Sequence, residues 1–160
     1  MHTDLWSYAL ALYARPGVEA ACLHLQEQGG DVCLLLCGAW LQARRVAASE
    51  ARAEALTALA MPWQRDVVAP LRCLRQQWRE QAKADPRLAA LRTQVKGLEL
   101  EAERDLLARL EQLAARWPAA LDRNSEDWLA RLMPGPARAG DALQQLRVSA
   151  RELQEAEDVG

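Results

Sequence analysis

The chain has 160 residues, 51% of them hydrophobic, and a formal net charge of −2. That length supports one domain with a core of its own, and the apolar share excludes a disordered chain. The near-balanced charge excludes a strong whole-chain field for nucleic acid or an anionic membrane surface.

The chain has no Ile and no Phe, and Thr occurs only at positions 3, 57 and 93. Ala, Leu, Arg, Glu and Gln dominate, which lose little side-chain freedom in a helix, whereas strands favour the β-branched and aromatic residues this chain largely lacks. The prediction is an all-α fold: a single bundle of about seven or eight helices.

Thr3 or Asp4 caps a first helix to about Ala14, broken by Arg15-Pro16-Gly17. Pro16 pre-sets a second helix, which Gly29-Gly30 stops near Gln28. Asp31 then caps a helix over 31–45 that is apolar almost all the way round, so it must be buried on every face and central to the bundle. Gly38 inside it allows close approach of a neighbour. Ser49 caps a fourth helix over 50–60, ended by Met61-Pro62. A fifth helix starts at Pro62, with the stripe Trp63, Val67, Leu71, Leu74 and Trp78 and a kink at Pro70.

Asp85-Pro86 opens a long sixth helix, 86–117, about 45 Å at 1.5 Å per residue. Leu100 and Leu107 fall off its main stripe and widen it, as for contact with a second neighbour or another chain. Asn124 or Ser125 caps a short helix around Trp128. Pro134-Gly135-Pro136 is the clearest linker. The expected organisation is a bundle domain over 1–133, then a linker and a final helix over 134–160 as an appendage of that domain, with the last residues frayed.

Chemistry-bearing motifs are sparse. Cys33 and Cys37 share a helix face but sit among leucines, and buried Cys packs as a small hydrophobe. Cys22 and His24, two apart, point to different faces. There is no phosphate loop, dinucleotide fingerprint, nucleophile elbow or H-E-x-x-H pair; of the two histidines, His2 is terminal and His24 is expected at the surface or boundary of an amphipathic helix. The acids Asp122, Glu126 and Asp127 are explained by a helix start. No catalytic residue, metal ligand or cofactor is therefore assigned.

Three surfaces are candidates for binding. Arg65, Arg72, Arg75, Arg79 and Lys83 form a basic stripe, which grips an acidic partner or is neutralised by acids such as Glu99, Glu101 and Glu103 on the long helix. Leu100 and Leu107 offer an apolar contact, and Trp117 and Trp128 flank a loop where an exposed Trp anchors partners. The third is a polar cluster of Tyr8, Tyr13, Arg15 and Asp31 at one end of the bundle, with an ordinary cap and a solvated Arg as the plain alternative.

The segments Leu5-Trp6-Ser7-Tyr8-Ala9-Leu10, Tyr13-Ala14-Arg15-Pro16-Gly17-Val18, Cys22-Leu23, Asp31-Val32 and Leu34-Leu35-Leu36, then Trp40, together resemble a family of small uncharacterised proteobacterial proteins, catalogued as a domain of unknown function. The resemblance covers roughly residues 4–80. It implies a bacterial, cytoplasmic, helical protein and carries no activity or site residues with it. The family pattern has Asn where this chain has Cys33, which argues against an essential thiol there.

The function expected is that of a non-enzymatic interaction protein, an adaptor or regulator with a protein partner or self-association. The alternative is a small-ligand-binding or metal-dependent helical enzyme with its site near Arg15 and Asp31. Neither nucleic acid nor a membrane span is expected, and the opening Met-His-Thr-Asp lacks a signal peptide's basic n-region, so a cytoplasmic location is expected.

Overall fold

A computed structural model describes residues 4–120 and 127–160. The cap candidates Thr3, Asn124 and Ser125, the acids Asp122 and Glu126, and His2 lie outside the described residues. The fold is all-α: among the described residues there is no strand, and one isolated antiparallel bridge joins Val46 to Ala119.

The helices are α1 (Leu5–Tyr13), α2 (Val18–Glu27), α3 (Val32–Ala43), α4 (Glu50–Trp63), α5 (Ala69–Gln77), α6 (Arg79–Ala82), α7 (Pro86–Ala114), α8 (Trp128–Leu132) and α9 (Asp141–Val159). Side-chain caps start several of them. Asp4, Asp31, Ser49 and Asp85 each accept from a backbone N–H in the first turn of α1, α3, α4 and α7. Asp127 does the same for α8. The end of α2 is a Schellman turn. Gly29 takes φ 90°, its N–H reaches the Gln26 carbonyl, and the Gly30 N–H reaches the Leu25 carbonyl at 2.9 Å.

The central place expected for the third helix is observed. Every residue from Cys33 to Leu41 is buried. α1, α2, α4, α7, α8 and α9 all pack against α3. A helix with no polar face has to be covered from all sides, and these neighbours do it. Gly38 permits a close approach: a Cβ there would lie 2.8 Å from a Leu132 methyl of α8.

Two boundaries differ from expectation. Met61-Pro62 does not end a helix: α4 runs through Pro62 to Trp63 and continues into a π-helical turn, Gln64–Val68, before α5. Inside a helix, proline removes one hydrogen bond and costs about 3 kcal/mol. Here the flanking turns are held by tertiary contacts, with Leu56, Ala60 and Val68 buried and the Trp63 indole N–H donating to the Ala102 carbonyl at 2.9 Å. The irregularity expected at Pro70 is the wide turn before it, where the Ala69 N–H reaches back to the Gln64 carbonyl. The long helix also ends sooner, at Ala114, about 43 Å from its start.

α9 packs on α2, α1 and α3. Leu143, Leu146 and Leu153 join the core. Arg147 pairs with Asp127, and Arg15 pairs with Glu152 at 3.0 Å. The helix continues to Val159, so the terminal residues expected to fray are helical.

The two helical glycines of α3 and α7 respond oppositely to a side chain. Gly97 has nothing within 4 Å of its would-be Cβ, so Gly97→Ala stabilises by about 0.5–1 kcal/mol through helix propensity. Gly38→Val meets α8 and destabilises by about 1–3 kcal/mol through overpacking. Urea denaturation of the two variants measures both, and equal effects would contradict this account of Gly38.

Candidate functional site

Four helices leave a groove where they diverge around the N-terminus of α3. It encloses about 830 Å³. Each wall contributes one helical face: Trp6, Ala9, Leu10 and Tyr13 from α1; Glu19, Cys22, Leu23 and Gln26 from α2; Arg72, Arg75, Gln76 and Arg79 around α5. The fourth wall is α7, whose residues Thr93, Lys96, Gly97, Leu100, Glu103 and Leu107 recur at the three- and four-residue spacing of one helix face. Cys33 and Leu36 form part of the apolar floor.

Leucines stand exposed around the mouth. Leu10, Leu23 and Leu100 are each about half accessible, at 51%, 50% and 53%. Scattered surface leucines are unremarkable, but these three line one concavity. Trp6 closes one edge, with the Arg104 guanidinium 5.0 Å above its ring.

The polar floor is built from carboxylates and guanidiniums. Glu99, buried on α7, accepts from Arg75 at 2.6 Å and from Arg72 at 3.0 Å. Arg72 also donates to Glu103 at 3.1 Å. Asp31 accepts from its own helix at the Leu34 N–H and from the Gln64 side chain at 2.9 Å. It has no salt bridge among the described residues. Burial resists ionisation of Glu99, yet the hydrogen bonds and charges of Arg75 and Arg72 outweigh it and hold that carboxyl below its ordinary range. For Asp31 and Glu103 the balance is reversed. Burial dominates at both and raises both carboxyls: at Asp31 the Leu34 and Cys33 N–H groups, Gln64 and then the Arg72 charge oppose it incompletely, and at Glu103 Arg72 does, while the charges of Glu99 and Asp31 raise Glu103 further. Burial likewise pushes the Tyr13 hydroxyl up to about 12.

Several residues singled out from the sequence fall elsewhere. The basic stripe is not a continuous free surface. Arg72 and Arg75 are partly buried and paired with α7, Arg65 pairs with Asp66, and Lys83 pairs with Glu80. Arg79 is exposed at the groove mouth. Leu107 is 2% exposed and belongs to the core, while Leu100 stays at the rim. The pair therefore forms no external stripe, and the exposed leucines along α7 are Leu91, Leu98, Leu100 and Leu113. Trp128 is fully buried, donates its indole N–H to the Val46 carbonyl at 2.7 Å, and stacks on the half-buried Trp117 with centroids 6.0 Å apart. It offers no surface to a partner.

The proposed polar cluster is divided. Tyr13 and Asp31 line the groove, whereas Arg15 pairs with Glu152 on α9. Tyr8 is buried, and burial, then the nearby Glu157 charge, raises its hydroxyl. Residues missed in the sequence include Gln64, Trp6 and Leu23 as groove walls. Their signal was weak, because an amide, an indole and a leucine on amphipathic helices read as ordinary surface or core. Glu99 and Glu103 were legible as two carboxylates four residues apart on one face.

Three of the four thiols are shielded from solvent, and the fourth, Cys73, is exposed on α5. Cys22, Cys33 and Cys37 are buried, and burial pushes the Cys22 thiol up to about 12. Among the described residues no group of three or more His, Cys, Asp or Glu could hold a metal ion. His24 is exposed on α2. The groove thus presents apolar walls, leucines at the rim and a charged floor.

Removing Glu99 strands two guanidiniums. Glu99→Ala lowers stability by about 2–4 kcal/mol, somewhat less than for a fully buried pair because both arginines keep some solvent contact. Urea denaturation checks this. A second outcome concerns pH. Asp31 and Glu103 are raised above their ordinary values of 3.8 and 4.5, so the folded chain binds those protons more tightly than the unfolded chain. Their contribution is complete below those values and is lost as pH rises through the folded-state values. Asp31→Asn/Glu103→Gln keeps the acceptors without the charge, so its melting temperature rises relative to the parent between acid and neutral pH. A difference independent of pH would overturn the assignment.

A family model described as Protein of unknown function (DUF2390) matches residues 4–110. The match runs past the 4–80 of the resemblance, through most of α7, and contains every residue lining the groove, from Trp6 to Leu107. No curated protein and no solved structure matches the chain. With the matched segment covering most of its 160 residues, the chain belongs to the family described as Protein of unknown function (DUF2390).

Proposed function

We propose that this protein acts by binding rather than by catalysis, and that its groove receives an amphipathic helical segment of a protein partner. The carrying observation is the length and spacing of the α7 wall. From Thr93 to Leu107 it presents one face over 14 residue steps, about 21 Å, the span of four turns of a second helix. Gly97, bare of a side chain, sits within that wall and lets a helix backbone come near. Helix-in-groove recognition relies on apolar anchors at such a spacing, and the rim leucines supply the opposing contacts.

Nucleic acid is not the expected partner, because Arg72 and Arg75 are already engaged by Glu99 and Glu103. No helix among the described residues is long and apolar enough to cross a membrane. Buried, unpaired Cys22, Cys33 and Cys37 suit a reducing compartment, so the reading includes a cytoplasmic location. The competing reading is a small apolar ligand, since the groove volume lies in the range of small-molecule sites.

A photo-crosslinking residue at Leu100, with one at exposed Ala90 as control, separates these readings in the native host. The expected result is a discrete protein adduct from Leu100, absent from Ala90 and abolished by Leu10→Glu with Leu23→Glu. A small molecule retained by the purified chain, with no protein adduct at Leu100, would reverse the assignment.

A further inference from the structure

The groove floor has an unequal count of charges. Three carboxylates, Asp31, Glu99 and Glu103, meet two guanidiniums, Arg72 and Arg75. Arg75 gives both of its contacts to Glu99, and Arg72 divides itself between Glu99 and Glu103. Asp31 is left with neutral donors, the Gln64 amide and the Leu34 N–H. The Cys33 thiol lies 4.0 Å from the Glu103 backbone carbonyl, and the charges of Asp31 and Glu103 both bear on it. A negative charge beside apolar Cys33 and Leu36 is expensive to keep there without a counter-ion, and more so once a partner has displaced water from the groove. The rim charges Glu19, Arg79 and Lys96 are exposed, where solvent and salt screen them.

We propose that the segment bound in this groove anchors itself with a basic side chain, Lys or Arg, on its apolar face, seated between Asp31 and Glu103. The inference rests on the reading of the groove as a helix receptor and adds the chemistry of the occupant. The cation completes the charge balance of the floor, and its alkyl stem packs against Leu36 and Leu107 as the stems of long basic side chains do. It also gives register: an apolar helix can slide along leucines, whereas one buried cation fixes a single position. An acid at the same place would add a fourth carboxylate to the floor and be rejected.

The test is selection from a phage-displayed library of four-turn helical peptides against the full-length chain. Selected peptides whose binding is lost on Leu10→Glu with Leu100→Glu are groove-directed. They are expected to carry one Lys or Arg amid their apolar positions, and its replacement by norleucine weakens binding about tenfold or more. Against Asp31→Asn/Glu103→Gln, and against Glu103→Gln alone should the double variant lose its helical circular dichroism, that preference falls at least to a few-fold. Groove-directed peptides without a basic anchor would overturn this inference and leave the helix-receptor reading standing. Recovery of no groove-directed peptide would overturn both.

Discussion

A helix that is apolar on every face has to be enclosed, and the enclosure of α3 organises this molecule. Nine consecutive residues, Cys33 to Leu41, are withdrawn from water. Removing that much apolar surface requires neighbours all round, supplied by α1, α2, α4, α7, α8 and α9. The same requirement explains why α9 is integrated: its buried leucines complete the cover on the α1 and α2 side.

Enclosure is hardest at a helix end, where unpaired N–H groups need polar partners. Asp31 provides one at the start of α3, and its carboxylate brings a charge into the edge of the core. Cover by further apolar side chains would leave that charge unsolvated. The walls therefore part there, and the opening is the groove. The local need to cap one buried helix and the presence of a charged concavity at its end are thus one physical problem.

The charges on α5 and α7 illustrate how packing changes meaning. In isolation, arginines along one helix suggest an anion-binding face. Placed against Glu99, they become an internal brace joining α5 to α7 across the groove floor, with Glu99 nearly sealed from water. A brace of this kind holds the two walls at a fixed separation and removes two guanidiniums from any role in gripping phosphate. What the brace leaves in the groove is the apolar rim, Asp31 with neutral partners, and Glu103 sharing Arg72 with Glu99.

The all-α class, the central third helix, the caps Asp4, Asp31, Ser49 and Asp85, and the glycine stop after α2 were all legible in the sequence. The caps and the glycine stop depend on residues within about one helical turn, and the all-α class and the buried third helix on composition and a continuous apolar run, all of which chain order alone shows. The passage of α4 through Pro62 was not legible, because Trp63 is held by Ala102, 39 residues away. Nor was the division of Leu100 from Leu107, the burial of Trp128, or the separation of Arg15 from Asp31. Those outcomes turn on which helices meet, and α7 reaches α5 through contacts such as Arg72 to Glu99, 27 residues apart. Periodicity shows that a face is apolar or charged; the tertiary structure decides what lies against it, and so which face stays free to bind.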